Sequence, residues 1–393
     1  VNKLFKICMS AFFVAIFISM VSCEDDLLGY GLLGRGDLKV HQLTLEAVEV
    51  ESFAEQIPLG RALTLICGKD SLTESRILLS VKGLDSIAVF DSVKLVMRRY
   101  QPNNYTQDNM NINIYPLTDE WKENSCTWEQ KDGYTKWDVS GGEYDSKDLI
   151  GKINVNSDTV ELLLKPDKKE QYNKGIIFVP QNKGFCYLGA SENPTTSDSV
   201  RYFKPDIVGF KGSDKTKFSS AKTSKYYAEV LDATILAPYQ KPSSDTLIGA
   251  GYAWRVYIKF SLANLPSIID ITSADLSIKY NNYFTPDDTL QFGIHRLKEP
   301  YIGRHTKISA SLSGRDSLAV KNDSFTVSMV NLAQLWVDEP DSNFGLLVAH
   351  TYLEYSSIFG QERNIYALGR LLGKPKLVIT YTNPPEGRFK GSE

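Results

Sequence analysis

The strongest constraint in this 393-residue chain is an internal repeat: short segments of its first half recur, in the same order, in its second half. Arg76-Ile77-Leu78-Leu79-Ser80-Val81 corresponds to Arg255-Val256-Tyr257-Ile258-Lys259-Phe260, an apolar run entered by an Arg. Ser92-Val93-Lys94-Leu95-Val96-Met97 then corresponds to Ser273-Ala274-Asp275-Leu276-Ser277-Ile278, and Ile112 to Leu117 corresponds to Phe292 to Leu297. Near the end of each half, Asn173-Lys174-Gly175-Ile176-Ile177-Phe178 matches Asn343-Phe344-Gly345-Leu346-Leu347-Val348. Glu192 falls on Glu362, and Lys204-Pro205-Asp206-Ile207-Val208 on Lys374-Pro375-Lys376-Leu377-Val378. A repeated order of this kind means that one supersecondary plan is built twice.

Most of the matched segments alternate apolar and polar residues at period two and are bounded by Gly, Pro, Asn or Asp, as half-buried strands are. Eight or more short strands per unit, without alternating helices, indicate an all-β fold of two tandem antiparallel sandwiches. Gly175 and Gly345 are expected to mark a tight approach or a positive φ just before a buried strand. Asn331 to Trp336 reads as a short helix over one end of a sandwich, and Glu161 to Leu164 as its counterpart. The polar stretch 211–225 reads as a linker, so the sandwiches are expected at 40–210 and 226–382, with a frayed tail over 383–393.

The first residues carry an export signal. Lys3 and Lys6 precede an apolar run, Ile7 to Val21, of about 15 residues, shorter than the roughly 20 that a spanning helix needs. Residues 1–22 are therefore expected to be removed. Ser22-Cys23 resembles a bacterial lipobox, which implies acylation of Cys23, and two or three acyl chains at roughly 0.8 kcal/mol per buried methylene hold a protein to a membrane. Residues 23–39, with Gly29, Gly31, Gly34 and Gly36, read as a flexible stalk. The acidic Glu24-Asp25-Asp26 resembles the surface-export signals of some lipoproteins, so an outer-membrane lipoprotein, surface-exposed or periplasmic, is expected.

A net charge of -3 with interspersed signs provides no basic field for nucleic acid. Cys67, Cys126 and Cys186 remain besides Cys8 and Cys23. An odd number permits one disulfide at most in an oxidising compartment and does not say which pair. No CxxC element is present, so neither zinc nor another cofactor is expected, and buried apolar thiols are the default.

Leu117-Thr118-Asp119-Glu120-Trp121-Lys122-Glu123-Asn124-Ser125-Cys126-Thr127-Trp128 resembles the hallmark of the DNRLRE family, also classed as carbohydrate-binding module family 96. Trp121, Glu123, Thr127 and Trp128 carry its Trp-x-Glu-x-x-x-Thr-Trp run. The Arg-led strands at Arg76 and Arg255, the elements at Asn173 and Asn343, and the Glu followed by Lys-Pro accompany it. In the second unit Lys298 to Gly303 replaces the Trp run. The resemblance implies a jelly-roll-like sandwich in a surface or secreted protein and, for some members, polysaccharide binding.

Trp121 and Trp128 adjoin an alternating strand and are expected in the core. Glu123 is expected to satisfy a backbone or Arg partner at a corner of the fold. Better candidates for ligand contact are aromatics in turn-rich segments: Tyr100, Tyr105, Trp137, Tyr144, Tyr239, Tyr252, Trp254 and Tyr283. Asp338-Glu339-Pro340-Asp341 and Asp287-Asp288 lack the spacing of a calcium loop. No Gly-x-Ser-x-Gly elbow, His-Glu-x-x-His helix or P-loop occurs, and His41, His295, His305 and His350 are scattered. The expectation is a lipid-anchored, non-catalytic protein that binds polysaccharide. The alternative is a structural or adhesive spacer, and a polysaccharide-degrading enzyme comes third.

Overall fold

The computed structural model describes residues 39–99, 109–192, 204–239, 245–284, 289–319, 323–350 and 367–383. In chain order these form β1 (Val40–Glu46), β2 (Glu49–Gln56), β3 (Thr64–Lys69), β4 (Glu74–Lys82), β5 (Ser92–Arg98), β6 (Met110–Pro116), β7 (Gly151–Val155), β8 (Thr159–Leu164), the short helix α1 (Lys169–Lys174), β9 (Ile176–Pro180) and β10 (Gly184–Gly189). They continue with β11 (Asp206–Lys211), β12 (Asp214–Lys217), β13 (Glu229–Leu236), β14 (Leu247–Ala250), β15 (Tyr252–Lys259), β16 (Asp270–Phe284), β17 (Thr289–Leu297) and β18 (Ile308–Ala319). Last come β19 (Ser324–Ser328), the helix α2 (Val330–Asp338), β20 (Leu346–His350), β21 (Ala367–Leu371) and β22 (Lys376–Thr382).

The fold is all-β, as the alternating pattern requires. One sandwich pairs a sheet β10-β3-β4-β9-β6-β7, with β13 also on β4, against a sheet β12-β11-β5-β8. The other pairs a sheet β1-β22-β16-β21-β14, with β19 also on β16, against a sheet β18-β17-β20-β15-β2. Each encloses its own apolar core. Leu65, Ile77, Leu95, Ile112, Leu162 and Phe178 represent the first, and Val256, Ile258, Leu276, Phe292, Trp336 and Leu377 the second. At about 25 cal/mol per Å² of apolar surface removed from water, such cores supply the dominant favourable contribution to folding.

The matched segments occupy equivalent places. β4 and β15, the Arg-led strands, each lie between a flanking strand and the Gly-preceded strand β9 or β20. β5 and β16 each pair with the strand that follows Lys-Pro, β11 or β22. Gly175 has φ 141° and Gly345 φ 91°. A Cβ on Gly345 would stand 2.7 Å from the Ile258 carbonyl oxygen, and one on Gly175 would stand 2.5 Å from the Trp121 indole nitrogen. Both glycines are the close approaches that their positions before buried strands implied.

The sandwich boundaries differ from the expected 40–210 and 226–382. β1 and β2 belong to the second sandwich: Val40 to Glu46 run antiparallel to Thr382 to Lys376, and Glu49 to Gln56 to Lys259 to Tyr252. β13, beyond the expected linker, belongs to the first, with Glu229 to Leu236 along Lys82 to Ser75. The polar stretch 211–225 contains β12, which pairs with β11 at the sheet edge. The first sandwich is therefore a contiguous insertion, from β3 to β13, within a discontinuous second one made of β1, β2 and β14 to β22. The two are related by a permutation, since β12 and β13 close the first in the places where β1 and β2 open the second.

Asn331 to Trp336 is helical, within α2, and buries Leu332, Ala333, Trp336 and Val337. Glu161 to Leu164 is not its helical counterpart. Val160, Leu162 and Leu164 alternate inward in β8, at period two, and the helix that precedes the glycine-led strand is α1 instead.

Candidate functional site

The outer face of the seven-stranded sheet is covered by the segment between β6 and β7, which carries the Trp-x-Glu-x-x-x-Thr-Trp run. Leu117, Cys126 and Trp137 pack there on Leu78, Ile177 and Ile235, with Trp121, Trp128 and Tyr144 half-buried around them. Arg76 clamps this layer. Its guanidinium lies 4.8 Å from the Trp128 ring centre and 5.6 Å from that of Tyr144, donates to the Gly141 carbonyl at 2.8 Å and pairs with Glu74 at 2.6 Å. The Arg that leads the repeated strand thus holds the hallmark segment down.

Two of the loop aromatics proposed as ligand contacts are consumed by this packing. Trp137 is 4 % exposed and its indole N–H donates to the Thr127 carbonyl at 3.0 Å. Tyr144 stacks on Tyr115 with ring centres 4.8 Å apart. Tyr239 and Trp254 bury together with Leu247 and Leu368 in a separate small cluster. These four do not converge on a groove, because a ring beside an alternating strand gains more by leaving water than by facing it. Tyr252 and Tyr283 lie in β15 and β16. Tyr100 and Tyr105 lie outside the described residues, as do Cys23 and Asp287-Asp288. Tyr134, which the sequence did not single out, is 91 % exposed at the tip of the hallmark segment.

A different set of residues does converge. Where β12 pairs into one sheet of the first sandwich and β13 into the other, the connection between them leaves a cleft of about 630 Å³. Glu123, Glu192, Lys204, Asp206, Lys217 and Glu229 bring charge to its walls, and Ser191, Ser219 and Ser220 bring hydroxyls. Glu123 comes from the hallmark run, and Glu192 and Lys204-Pro205 from the repeated Glu and Lys-Pro element. One residue of the Trp-x-Glu-x-x-x-Thr-Trp run and the Glu and Lys-Pro element therefore meet in one place.

Glu123 and Glu192 of the cleft wall share one backbone frame with a third carboxyl, that of the buried Asp232. Glu123 accepts the Asp232 backbone N–H at 2.8 Å, which is the backbone partner expected of it. Asp232 in turn accepts the Ser191 N–H at 2.8 Å, and the Ser191 hydroxyl donates to Glu192 at 3.0 Å. Burial raises the Glu123 carboxyl to about 7, with the nearby Glu192 and Glu229 charges adding to the effect and Arg61 opposing it. Burial likewise raises Glu192. Asp232, 1 % exposed, is pushed well above the carboxylate range by burial first and by Glu192. At about 7 the Glu123 carboxyl keeps its proton for part of the time at neutrality and so can offer a hydrogen-bond donor as well as acceptors. At the mouth, Lys217 pairs with Asp206 at 2.6 Å.

Sequence reasoning missed Asp232 as part of a site, although a carboxylate inside the apolar run Val230 to Leu236 was the available signal. Among the described residues no group of three or more His, Cys, Asp or Glu has metal-binding geometry, and the turn Asp338-Glu339-Pro340-Asp341 is closed by local bonds, with Gln334 donating to Asp338 at 2.9 Å. All three cysteines of the described residues are buried free thiols. No helix among the described residues is long and apolar enough to cross a membrane. The chain matches no family model and no curated protein.

Proposed function

We propose that this chain is an exported lipoprotein of the DNRLRE type, anchored through Cys23, whose first sandwich binds polysaccharide without cleaving it. The observation that carries the reading is the polar cleft at Glu123, Glu192 and Lys204, to which the hallmark run and the Lys-Pro element both contribute. Raised carboxyls, serine hydroxyls and lysine ammoniums form a mixed array of donors and acceptors, and such an array suits the hydroxyls of a sugar chain. Recognition would then be by hydrogen bonding along the edge of the sugar. Stacking is not the mode expected of Trp137, Tyr239 and Trp254, which are buried, or of Tyr144, whose ring is already stacked on Tyr115.

The test is retention of the chain from Cys23 onward, with Cys23→Ser, on a panel of insoluble and immobilised polysaccharides. Retention on at least one polymer is expected, weakened ten-fold or more by Glu192→Gln with Lys204→Ala. Retention on none, or retention indifferent to both substitutions, removes the proposal. The spacer alternative draws on the same internal packing of the aromatics and predicts no retention at all.

A second reading is favoured by Glu123, whose carboxyl stands near 7 beside other carboxyls, as a general acid requires. Release of reducing ends from a retained polymer, abolished by Glu123→Gln, would make the protein a glycoside hydrolase. The non-catalytic reading expects none.

A further inference from the structure

The register of the pair β3 and β10 sets Cys186 directly opposite Cys67, with Tyr187 opposite Ile66 and Leu188 opposite Leu65. Side chains two apart on a strand share a face. Both sulfurs therefore point the way of Leu65 and Leu188 into the first core, and all four residues are buried in it. Directly opposed residues of an antiparallel pair have Cα atoms about 4.5 to 5.5 Å apart, inside the window of roughly 4.4 to 6.8 Å that a disulfide spans. Gly68 keeps the strands close beside the pair, for a Cβ there would stand 2.2 Å from the Gly184 carbonyl oxygen and 2.6 Å from the Phe185 Cα. Cys126 lies on the other face of this sheet, in the hallmark layer, with its thiol 3.7 Å from the Glu123 carbonyl oxygen.

We infer that Cys67 and Cys186 form a cross-strand disulfide when the chain folds in an oxidising compartment, and that Cys126 is the thiol left over. In the structure both are thiols, and Cys67 donates weakly to the Phe178 carbonyl at 3.7 Å. Closing the bond takes rotation of the side chains and leaves the strands where they are. The chemistry is thiol–disulfide exchange. One thiol loses its proton and attacks an oxidant disulfide, such as oxidised glutathione or an exported dithiol oxidase, releasing one thiolate. The second, deprotonated in turn, displaces the other half, so that two protons and two electrons leave the protein and the oxidant departs as two thiols. Burial raises both thiols above their ordinary value and excludes the oxidant from the finished core, so the bond forms while β3 and β10 are still accessible. Its occurrence in the cell rests on the export reading; its chemical test does not.

That test uses the chain from Cys23 onward with Cys23→Ser, unfolded in reductant and refolded in a glutathione redox mixture. Free thiols are then alkylated under denaturing conditions and the digest is mapped by mass. The expected result is a linked peptide pair holding Cys67 and Cys186, two hydrogens lighter than the sum of its parts, with Cys126 alkylated. Cys126→Ser should leave the link unchanged. Reductant should lower the melting temperature of the oxidised chain by several degrees and leave that of the Cys67→Ser, Cys186→Ser double variant unmoved. Alkylation of both Cys67 and Cys186 after oxidative refolding, or any link through Cys126, overturns the inference. Neither outcome depends on whether a polysaccharide is bound.

Discussion

Glu123 accepts the backbone N–H of Asp232 at 2.8 Å across 109 positions of chain, and so ties the hallmark segment to β13, a strand beyond the expected end of the first unit. β13 also receives the Ile66 N–H on the Thr234 hydroxyl at 3.0 Å, and Thr73 donates to the Ala237 carbonyl at 2.8 Å. The first sandwich is incomplete without it.

A fragment of residues 57–239 is accordingly expected to unfold in urea as one cooperative transition with native-like near-ultraviolet dichroism. A fragment of residues 40–210 keeps β1 and β2 without partners and strips β13 from β4. It is expected to aggregate, because unpaired strand edges recruit other chains. Equal solubility and cooperativity of the two fragments would refute the insertion.

Stability should fall as pH rises through the range of the raised carboxyls. Glu123 is held near 7, above the ordinary carboxyl value of the unfolded chain, so the folded state binds its proton more tightly. The associated stabilisation is complete below the unfolded value and is lost as pH climbs from about 4.5 to about 7, and Glu192 and Asp232 shift in the same direction. Urea midpoints for wild type and Glu123→Gln across this window should converge at the acidic end and separate above neutrality, where Gln is the more stable. With Glu123 half-exposed, the difference is on the order of 1 kcal/mol after solvent screening. A wild-type curve that rises over the same range contradicts the assignment.

Trp137 supports the fold. Trp137→Ala should cost about 3 to 5 kcal/mol through the cavity it leaves. Trp137→Phe should cost about 1 kcal/mol through the lost bond to the Thr127 carbonyl. Any polymer affinity of variants that remain folded should match wild type, as measured by depletion of protein from solution over the polymer.

Arg76→Lys is expected to lower stability by about 1 to 2 kcal/mol although charge is conserved. An ammonium cannot lie flat over Trp128 while also reaching Glu74 and the Gly141 carbonyl. Trp fluorescence should report a loosened layer at denaturant concentrations below the main transition. A single coincident transition in the variant would place the clamp elsewhere.

The faces of the strands were legible in the sequence, and their partners were not. Period two says that Leu43 and Leu45 turn inward together, but nothing local says that their strand pairs with Leu377 and Ile379 near the opposite end of the chain. Register and partner are fixed by tertiary contacts. β12 escaped notice because an exposed edge strand, Asp214-Lys215-Thr216-Lys217, has no apolar beat to read. In β8 the outward-facing Leu163 broke the visible alternation and gave a continuous leucine run, which suits a helix as well as a strand. The cleft was only half legible. Glu123 and Glu192 stood out as parts of repeated or family-like elements, whereas Asp232 is joined to them only by folding. Trp137, Tyr144, Tyr239 and Trp254 were read as loop aromatics although they pack inward, because polar neighbours in sequence do not reveal what a ring packs against in space.

The nested arrangement reverses the order in which the chain meets whatever holds it. Val40 lies opposite Thr382, so both ends of the described polypeptide leave side by side from the discontinuous sandwich. A pull transmitted through the residues before Lys39 is borne first by the ladder between β1 and β22. The cleft-bearing sandwich, strung between β2 and β14 as a side loop, is spared that load until the ladder has given way.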